Sequence, residues 1–405
     1  MTNEIYGIDY LRRRLADKQT RVLLRYKYYE MKNNAQDFSS LAPEKFKGLK
    51  ETVGWCAKAV DSLADRLQFD EFQNDEFNLS EIFLSNNQDI LIDSAVLSAL
   101  ISACSFVYIR EDNGYPRLQV IDGSNATGII DPVTNLLTEG YAVLERDSMG
   151  VVKTEAYFMA GMTEIYSHGV LVQRIPNAAL LVPIIYRPDA KRPFGHSRIS
   201  RACIAYTQTA LRTIKRSEVS AEFYSFPQKY VLGLSEDAEF NNRLAAISSF
   251  LNFTKDGDGD HPIVGQFQQQ SMTPYTEQLR TLASLFAGET GLTLDDLGFA
   301  TENPSSAEAI KAGHENLRLT ARKAQRTFGT GLLNVGYLAV CIRDRYAYQR
   351  DAFRDTKVAW LPIFEPDAAT LSGVGDAILK INQAVPDYLG ARNIRALTGM
   401  ESDGK

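Results

Sequence analysis

Between residues 105 and 187 apolar and polar side chains alternate, and turn pairs interrupt the run at Asn113-Gly114, Asp122-Gly123, Asp131-Pro132 and His168-Gly169, with a further break at Gly150. Successive side chains of a strand point to opposite faces, so this texture predicts a meander of short antiparallel strands. The flanks read differently. Tyr10, Leu11, Leu15, Val22, Leu23, Tyr26 and Tyr29 recur at near-helical spacing over residues 8 to about 32. Leu49, Val53, Cys56, Val60, Leu63 and Leu67 share one face of a second helix over about 43–67, and two more helices are expected at 78–85 and 89–103.

Downstream of a Pro/Gly-rich hinge at 187–195, residues 197–225 predict a helix on the order of 40 Å long at 1.5 Å per residue, ended by Pro227. A small mixed segment follows, with strands at 230–234 and 263–269, a helix at 237–251 and a turn at 256–260. A helix over about 274–287 leads to a loop at 289–304. Ser305 and Glu308 stand in capping-box register, which starts a third long helix running to about residue 345. A strand at 358–364 and helices at 367–383 and 388–399 complete an α+β chain without internal repeats.

Composition narrows the function classes. The 405 residues suggest roughly two to three domains. They are 44% hydrophobic and 23% charged, near globular averages, which excludes a disordered or collagenous chain. The net charge is −6. A protein that grips nucleic acid over its whole surface usually reads basic, so tight, extended binding is disfavoured, whereas DNA sliding past is not. Glu4 and Asp9 occupy the positions where a secretory signal needs an apolar run. The longest weakly polar stretch, residues 329–342, suits a buried helix better than a membrane span. Cys56, Cys104, Cys203 and Cys341 lie far apart, with neither disulfide-framework nor zinc spacing. A soluble protein of a reducing cytoplasm with buried thiols is expected.

Catalytic signatures are thin. No Gly-x-x-x-x-Gly-Lys-Ser/Thr loop exists, which excludes a P-loop motor. Gly329, Gly331 and Gly336 lack dinucleotide-loop spacing and are better explained by close helix packing. His168, His196, His261 and His314 are scattered. Asp256, Asp258 and Asp260 alternate with glycines like the start of a calcium loop, but His261 and Phe267 stand where an EF-hand needs Gly and Glu, so a solvent-exposed turn is the plainer reading. No catalytic residue, metal site or cofactor is expected.

Charge patterning is more informative. On the 197–225 helix, Arg198, Arg201, Arg212, Lys215 and Arg216 fall within an arc of about 100° at 100° per residue, backed by Ile199, Cys203, Ala210, Ile214 and Ala221. This is a basic stripe or a solvated face with scattered ion pairs. Residues 281–310 contain no Lys, Arg or His but carry Glu289, Asp295, Asp296, Glu302 and Glu308. On the third long helix, Glu308, Lys311, Glu315, Arg318, Arg322 and Arg326 share one face, and Ile310, Leu317, Ala321, Ala324 and Phe328 the other.

Three stretches carry a resemblance: residues 34–72, ending WCAKAVDSLADRLQFDEF; residues 193–233, PFGHSRISRACIAYTQTALRTIKRSEVSAEFYSFPQKYVLG; and residues 292–326, containing GFATENPSSAEAI. The chain resembles the portal (head–tail connector) proteins of tailed bacteriophages of the long-tailed siphophage type. The resemblance implies a structural, non-enzymatic protein. It implies a homo-oligomeric ring, usually of twelve subunits, at one capsid vertex of the virion, assembled in the host bacterial cytoplasm. Double-stranded DNA passes through such a ring non-specifically. Its implied partners are the terminase large subunit, the tail adaptor, and capsid and scaffold proteins, with no membrane.

By resemblance, 1–196 form a helical and β wing, 197–226 stem helix one, 227–272 a small α/β clip and 273–288 stem helix two. Residues 289–304 form a tunnel loop, 305–366 a long helix and strand returning to the wing, and 367–405 a short crown. Asp295, Asp296, Phe299, Glu302 and Asn303 would face the channel, the stripe of Arg198, Arg201, Arg212, Lys215 and Arg216 would lie on the stem, and Asp256, Asp258 and Asp260 would dock partners at the clip. Two alternatives stand beside this: a non-ring adaptor, and a DNA-processing subunit of the packaging machine, which would need clustered carboxylates for metal ions.

Overall fold

The computed structural model describes residues 5–33, 51–176, 180–225, 229–232, 263–266, 271–299, 312–364, 368–386 and 388–398. The chain divides into two units, one of Met1–Lys32, Gly54–Ile204 and Ala287–Lys405, the other of Asn33–Val53 and Ala205–Phe286.

The first unit opens with α1 (Ile8–Tyr29), which buries Leu11, Leu15, Val22 and Tyr28. Leu11 and Leu15 pack with Tyr141, Val143 and Tyr157 of the five-stranded sheet described below. The helix start is anchored by a carboxylate: Glu139 accepts the N–H groups of Tyr6 (2.9 Å) and Gly7 (3.0 Å). Negative charge there also complements the helix dipole. Next to it, Arg12 and the Tyr141 hydroxyl both donate to Glu155, and the Tyr157 hydroxyl donates to Glu139 at 2.6 Å. Glu139 and Glu155 are buried, and these bonds are what a buried carboxylate needs.

Helix α2 (Trp55–Ala64) is shorter than the predicted 43–67 helix. Gly54 precedes it and residues 51–54 are not helical; residues 34–50 lie outside the described residues. Strand β1 (Phe69–Gln73) follows, then α3 (Leu79–Leu84) and α4 (Gln88–Ser102). Asp75 starts α3 by accepting the N–H groups of Leu79 (2.7 Å) and Ser80 (2.8 Å).

The predicted meander is antiparallel throughout but forms two sheets. Strands β2 (Cys104–Asp112), β3 (Tyr115–Ile121) and β9 (Leu181–Ile185) pair in the order β3-β2-β9. Strands β4 (Ala126–Ile130), β5 (Leu137–Arg146), β6 (Val152–Met159), β7 (Met162–Ser167) and β8 (Val170–Ile175) follow one another in the second sheet. Alternation does not mark every strand, since β9 is apolar and buried throughout, and it does not say that β9 returns to pair with β2.

Helix α5 (Arg201–Ser225) leaves this unit and α6 (Thr273–Thr290) re-enters it, the division falling inside both helices. The final long helix, α7 (Glu315–Arg343), runs unbroken through Gly329 and Gly331. A Cβ on Gly331 would lie 2.8 Å from Ile184 of β9, and one on Gly336 would lie 2.6 Å from Leu79 of α3. The glycine cluster is therefore a packing device, as its spacing implied. Leu317, Ala321, Ala324 and Phe328 are all buried, which places the expected apolar face; Ile310 and the expected start at Ser305 lie outside the described residues. Strand β12 (Lys357–Trp360) pairs with β1, and α8 (Ala368–Ala384) and α9 (Ala391–Thr398) follow. Arg395 of α9 pairs with Asp70 of β1 at 2.7 Å. No described helix is long and apolar enough to cross a membrane.

Within the second unit, the Thr213 hydroxyl donates to Gln278 at 3.2 Å, and the Ser220 and Tyr275 hydroxyls share a hydrogen bond of 2.7 Å. Partners descend along α6 as they ascend along α5, so the two helices run antiparallel. Strands β10 (Lys229–Leu232) and β11 (Ile263–Gln266) pair antiparallel. The predicted helix at 237–251 lies outside the described residues.

Candidate functional site

The start of α5 revises the basic stripe. The helix begins at Arg201 rather than at 197, and Ser200 is its cap: the Ser200 hydroxyl accepts the Cys203 N–H at 3.2 Å. Ser197 is held by the C-terminal turn of α4 instead, donating to Ile101 O at 2.6 Å. Arg198 therefore lies ahead of the helix and off its face. It is 6% exposed, and its guanidinium donates to Ala59 O at 3.1 Å and to Thr290 O. This arginine ties the entry of α5 to the exit of α6 and to α2; it presents no charge to a passing ligand.

The other four members of the stripe differ from one another. Arg201 and Arg216 are exposed, Arg212 is half-buried with a bond to Thr209 Oγ1 at 3.1 Å, and Lys215 is 5% exposed. A helical wheel assigns angle, not depth, and the continuous solvent-facing stripe does not form. Ile199, Cys203 and Ala210 are buried as expected, while Ile214 is half-buried.

The acidic segment is compactly built where it is described. Gly291 (φ +69°) ends α6, its N–H bonding to Ala287 O at 2.8 Å, in a conformation that favours glycine. Glu289, in the last turn, accepts the Ser200 hydroxyl at 2.7 Å. A turn at Asp295–Leu297 buries Leu297 and ends at Gly298 (φ +87°). Thr293 and Asp296 cap each other: Asp296 accepts the Thr293 N–H and hydroxyl at 2.9 Å each, and the Asp296 N–H reaches Thr293 Oγ1 at 3.2 Å. His314 Nε2 lies 3.2 Å from that same oxygen, Asp296 Oδ2. Burial opposes the charge on Asp296, but the Thr293 bonds and His314 outweigh it and hold the carboxyl below the usual carboxylate range.

The two neighbouring acids thus have different duties. Asp295 is exposed, whereas Asp296 is turned to the turn's own backbone and to His314. Phe299 is half-buried. Glu302 and Asn303 lie outside the described residues, as do Asp256, Asp258 and Asp260. On α7, Arg318 pairs with Glu315 through a two-pronged contact.

Among the described residues no three His, Cys, Asp or Glu side chains are grouped to hold a metal ion. Cys56, Cys104 and Cys203 are buried and Cys341 is half-buried, none of the four joined in a disulfide. Sequence reasoning passed over one set of residues. Arg14, Lys18, Arg21 and Arg25 recur at four-, three- and four-residue steps along α1. A charge wheel drawn for that helix shows the row, but the basic segment facing it, at 191–201, is supplied only by the fold.

No family model matches the chain. It is 24% identical over 330 residues to the protein named portal protein of Mycobacterium phage L5, covering 75% of this chain and 67% of that protein. The portal protein of Mycobacterium phage D29 matches at the same identity and coverage. The chain is thus similar over most of its length to two phage portal proteins. Among solved structures, a chain of the neck of an empty GTA particle aligns with a TM-score of 0.49 at 12% identity, over 86% of this chain and 90% of that one. A chain of the virion of the native gene transfer agent particle aligns with a TM-score of 0.46 at 12% identity, over 94% and 99%.

Proposed function

We propose that this protein is the structural portal subunit of a tailed-phage particle: copies form a closed ring at one capsid vertex, and DNA enters and leaves through the ring. The observation that carries this reading is the relatedness over 330 residues to two mycobacteriophage proteins named portal protein. The antiparallel α5–α6 pair supports it, because such a pair suits the stem of a ring. In this reading residues 1–196 form the wing, 197–226 and 273–288 the stem, 227–272 the clip, 289–304 the tunnel loop, 305–366 the return to the wing and 367–405 the crown. Twelve copies form the ring, two different faces of each subunit meeting around a cyclic axis. The clip docks the terminase large subunit during packaging and the tail adaptor afterwards, and the wing meets capsid and scaffold proteins. Assembly takes place in the host cytoplasm.

The role needs guidance of DNA rather than reaction on it. Asp295 is exposed on a segment with thirty residues free of Lys, Arg and His. Like charge facing phosphate within about a Debye length of 8 Å keeps the wall from gripping. Arg216 and Arg201, exposed on α5, are too few to trap a duplex. Cryo-electron microscopy of assembled particles tests the placement. Density for this chain is expected at a single vertex of each capsid. Its absence from the particle, or its presence at every vertex, would rule the reading out.

A further inference from the structure

The first unit contains a cleft of about 610 Å³ that the portal reading does not use. One wall is the row Arg14, Lys18, Arg21 and Arg25 of α1; the other holds Lys191, Arg192 and Arg201. Asp17 is the one carboxylate in the lining. Among the described residues none of the seven cations is within ion-pair distance of a carboxylate. Lys18 donates to Ala126 O at 2.6 Å and sits 5.4 Å from the Phe106 ring centre and 5.9 Å from that of Phe194. Arg25 donates to Ser102 O at 3.1 Å, and Arg14 lies over Phe194 at 5.5 Å. Backbone carbonyls and rings orient these cations without neutralising them. We infer that this cleft is a receptor for an acidic peptide strand contributed by a different protein.

Charge is the first argument. Partly buried cations without counter-charge lose hydration and gain no partner, and an incoming carboxylate row restores the balance. Burial pushes the Lys18 ammonium and the Arg25 guanidinium down, Lys18 also feeling Arg14 and Arg25 feeling Arg21. Spacing is the second. The row from Arg14 to Arg25 spans about 16 Å at 1.5 Å per residue. About five residues of extended peptide cover the same length, with side chains on one face roughly 6.7 Å apart, against rises of about 6, 4.5 and 6 Å between successive cations, a difference that long, flexible side chains span.

The occupant is a peptide rather than nucleic acid for reasons of shape. A cleft of this volume takes a small ligand or a few residues of extended chain, not a duplex. A single strand binds by stacking bases on aromatic faces. The rings at hand, Phe106 and Phe194, already carry Lys18 and Arg14 over them, and Phe106 is fully buried.

Fluorescence anisotropy with the full-length protein and a labelled ten-residue peptide of alternating Glu and Ser tests this. Saturable binding that weakens between low and physiological salt is expected. Arg21→Glu combined with Lys191→Glu should weaken it at least tenfold; both side chains are exposed, so folding is retained. The milder Arg21→Gln with Lys191→Gln should weaken it less, and Arg13→Glu, outside the cleft, should leave it unchanged. The inference would be overturned by no saturable binding, by equal affinity in the charge-reversed protein, or by tighter binding of a single-stranded oligonucleotide of equal charge. Dissociation of the protein's own assembly by the peptide would also overturn it, since the natural occupant would then be a second copy of this chain.

Discussion

Arg198 and Asp296 show how one side chain's surroundings decide its role. Arg198 fills a buried junction and satisfies two backbone carbonyls. Arg198→Met should cost about 2–4 kcal/mol, because the carbonyls lose their donor and the shape no longer fits. Arg201→Met, at an exposed position three residues on, should stay within about 0.5 kcal/mol. Chemical denaturation of the two variants beside the parent protein reads the difference, and equal losses would mean that Arg198 is not a structural tie. Asp296 links to pH. Its folded-state carboxyl titrates below the ordinary range, so it stabilises the fold above about pH 4, and that contribution is lost as the pH falls through the lower folded value. Asp296→Asn should therefore lower the denaturation midpoint at pH 7, and the gap from the parent should close in strong acid. A gap that is constant from pH 7 to pH 2 would contradict the role given to its charge. The sequence showed both residues as charges at particular helical angles or in a particular run. It could not show that Ser200 caps α5 three residues inside the expected start, nor that Thr293 turns Asp296 inward, because both outcomes depend on the donors and acceptors that the surrounding chain offers.

At the level of elements, helices and strands were legible wherever a periodic apolar face meets a core, as in Leu11, Leu15 and Val22 of α1 or Leu317, Ala321, Ala324 and Phe328 of α7. Partnerships between elements were not. The return of β9 to β2, which divides the meander into two sheets, follows from long-range pairing that alternation does not encode. Glycines allow a test of packing with opposite signs in two helices. Gly331 faces Ile184 closely, so Gly331→Leu should overpack the α7–β9 contact and cost about 1–3 kcal/mol. Gly373 of α8 has nothing within 4 Å of where a Cβ would stand, so Gly373→Ala should stabilise that helix by about 0.5–1 kcal/mol. Thermal unfolding of the two variants checks both signs. A second element-scale prediction concerns alkali. Burial first, then hydrogen bonding to Asp61, pushes the Tyr29 phenol up to about 12; burial and Glu164 do the same for Tyr166. A raised folded value means stability is full below about pH 10 and is lost as the pH rises towards 12. Phenolate absorbance should show these groups ionising together with loss of the fold, rather than near pH 10 in the intact protein.

For the whole molecule, an acidic chain with an antiparallel helix pair and a base-free segment suits a structure that conducts DNA without holding it. The charge balance and the missing phosphate loop were legible from the sequence alone. Subunit contacts were not, because a face that meets another copy reads like any other mixed surface until the copy is present. Ring formation by the purified full-length chain is the property on which the portal reading turns, and mass photometry combined with negative-stain imaging measures it most directly. The expected result is a uniform closed ring with a central hole and a mass about twelve times that of the 45.2 kDa chain. A 45.2 kDa monomer across salt and pH, with no ring in the assembled particle either, would contradict it.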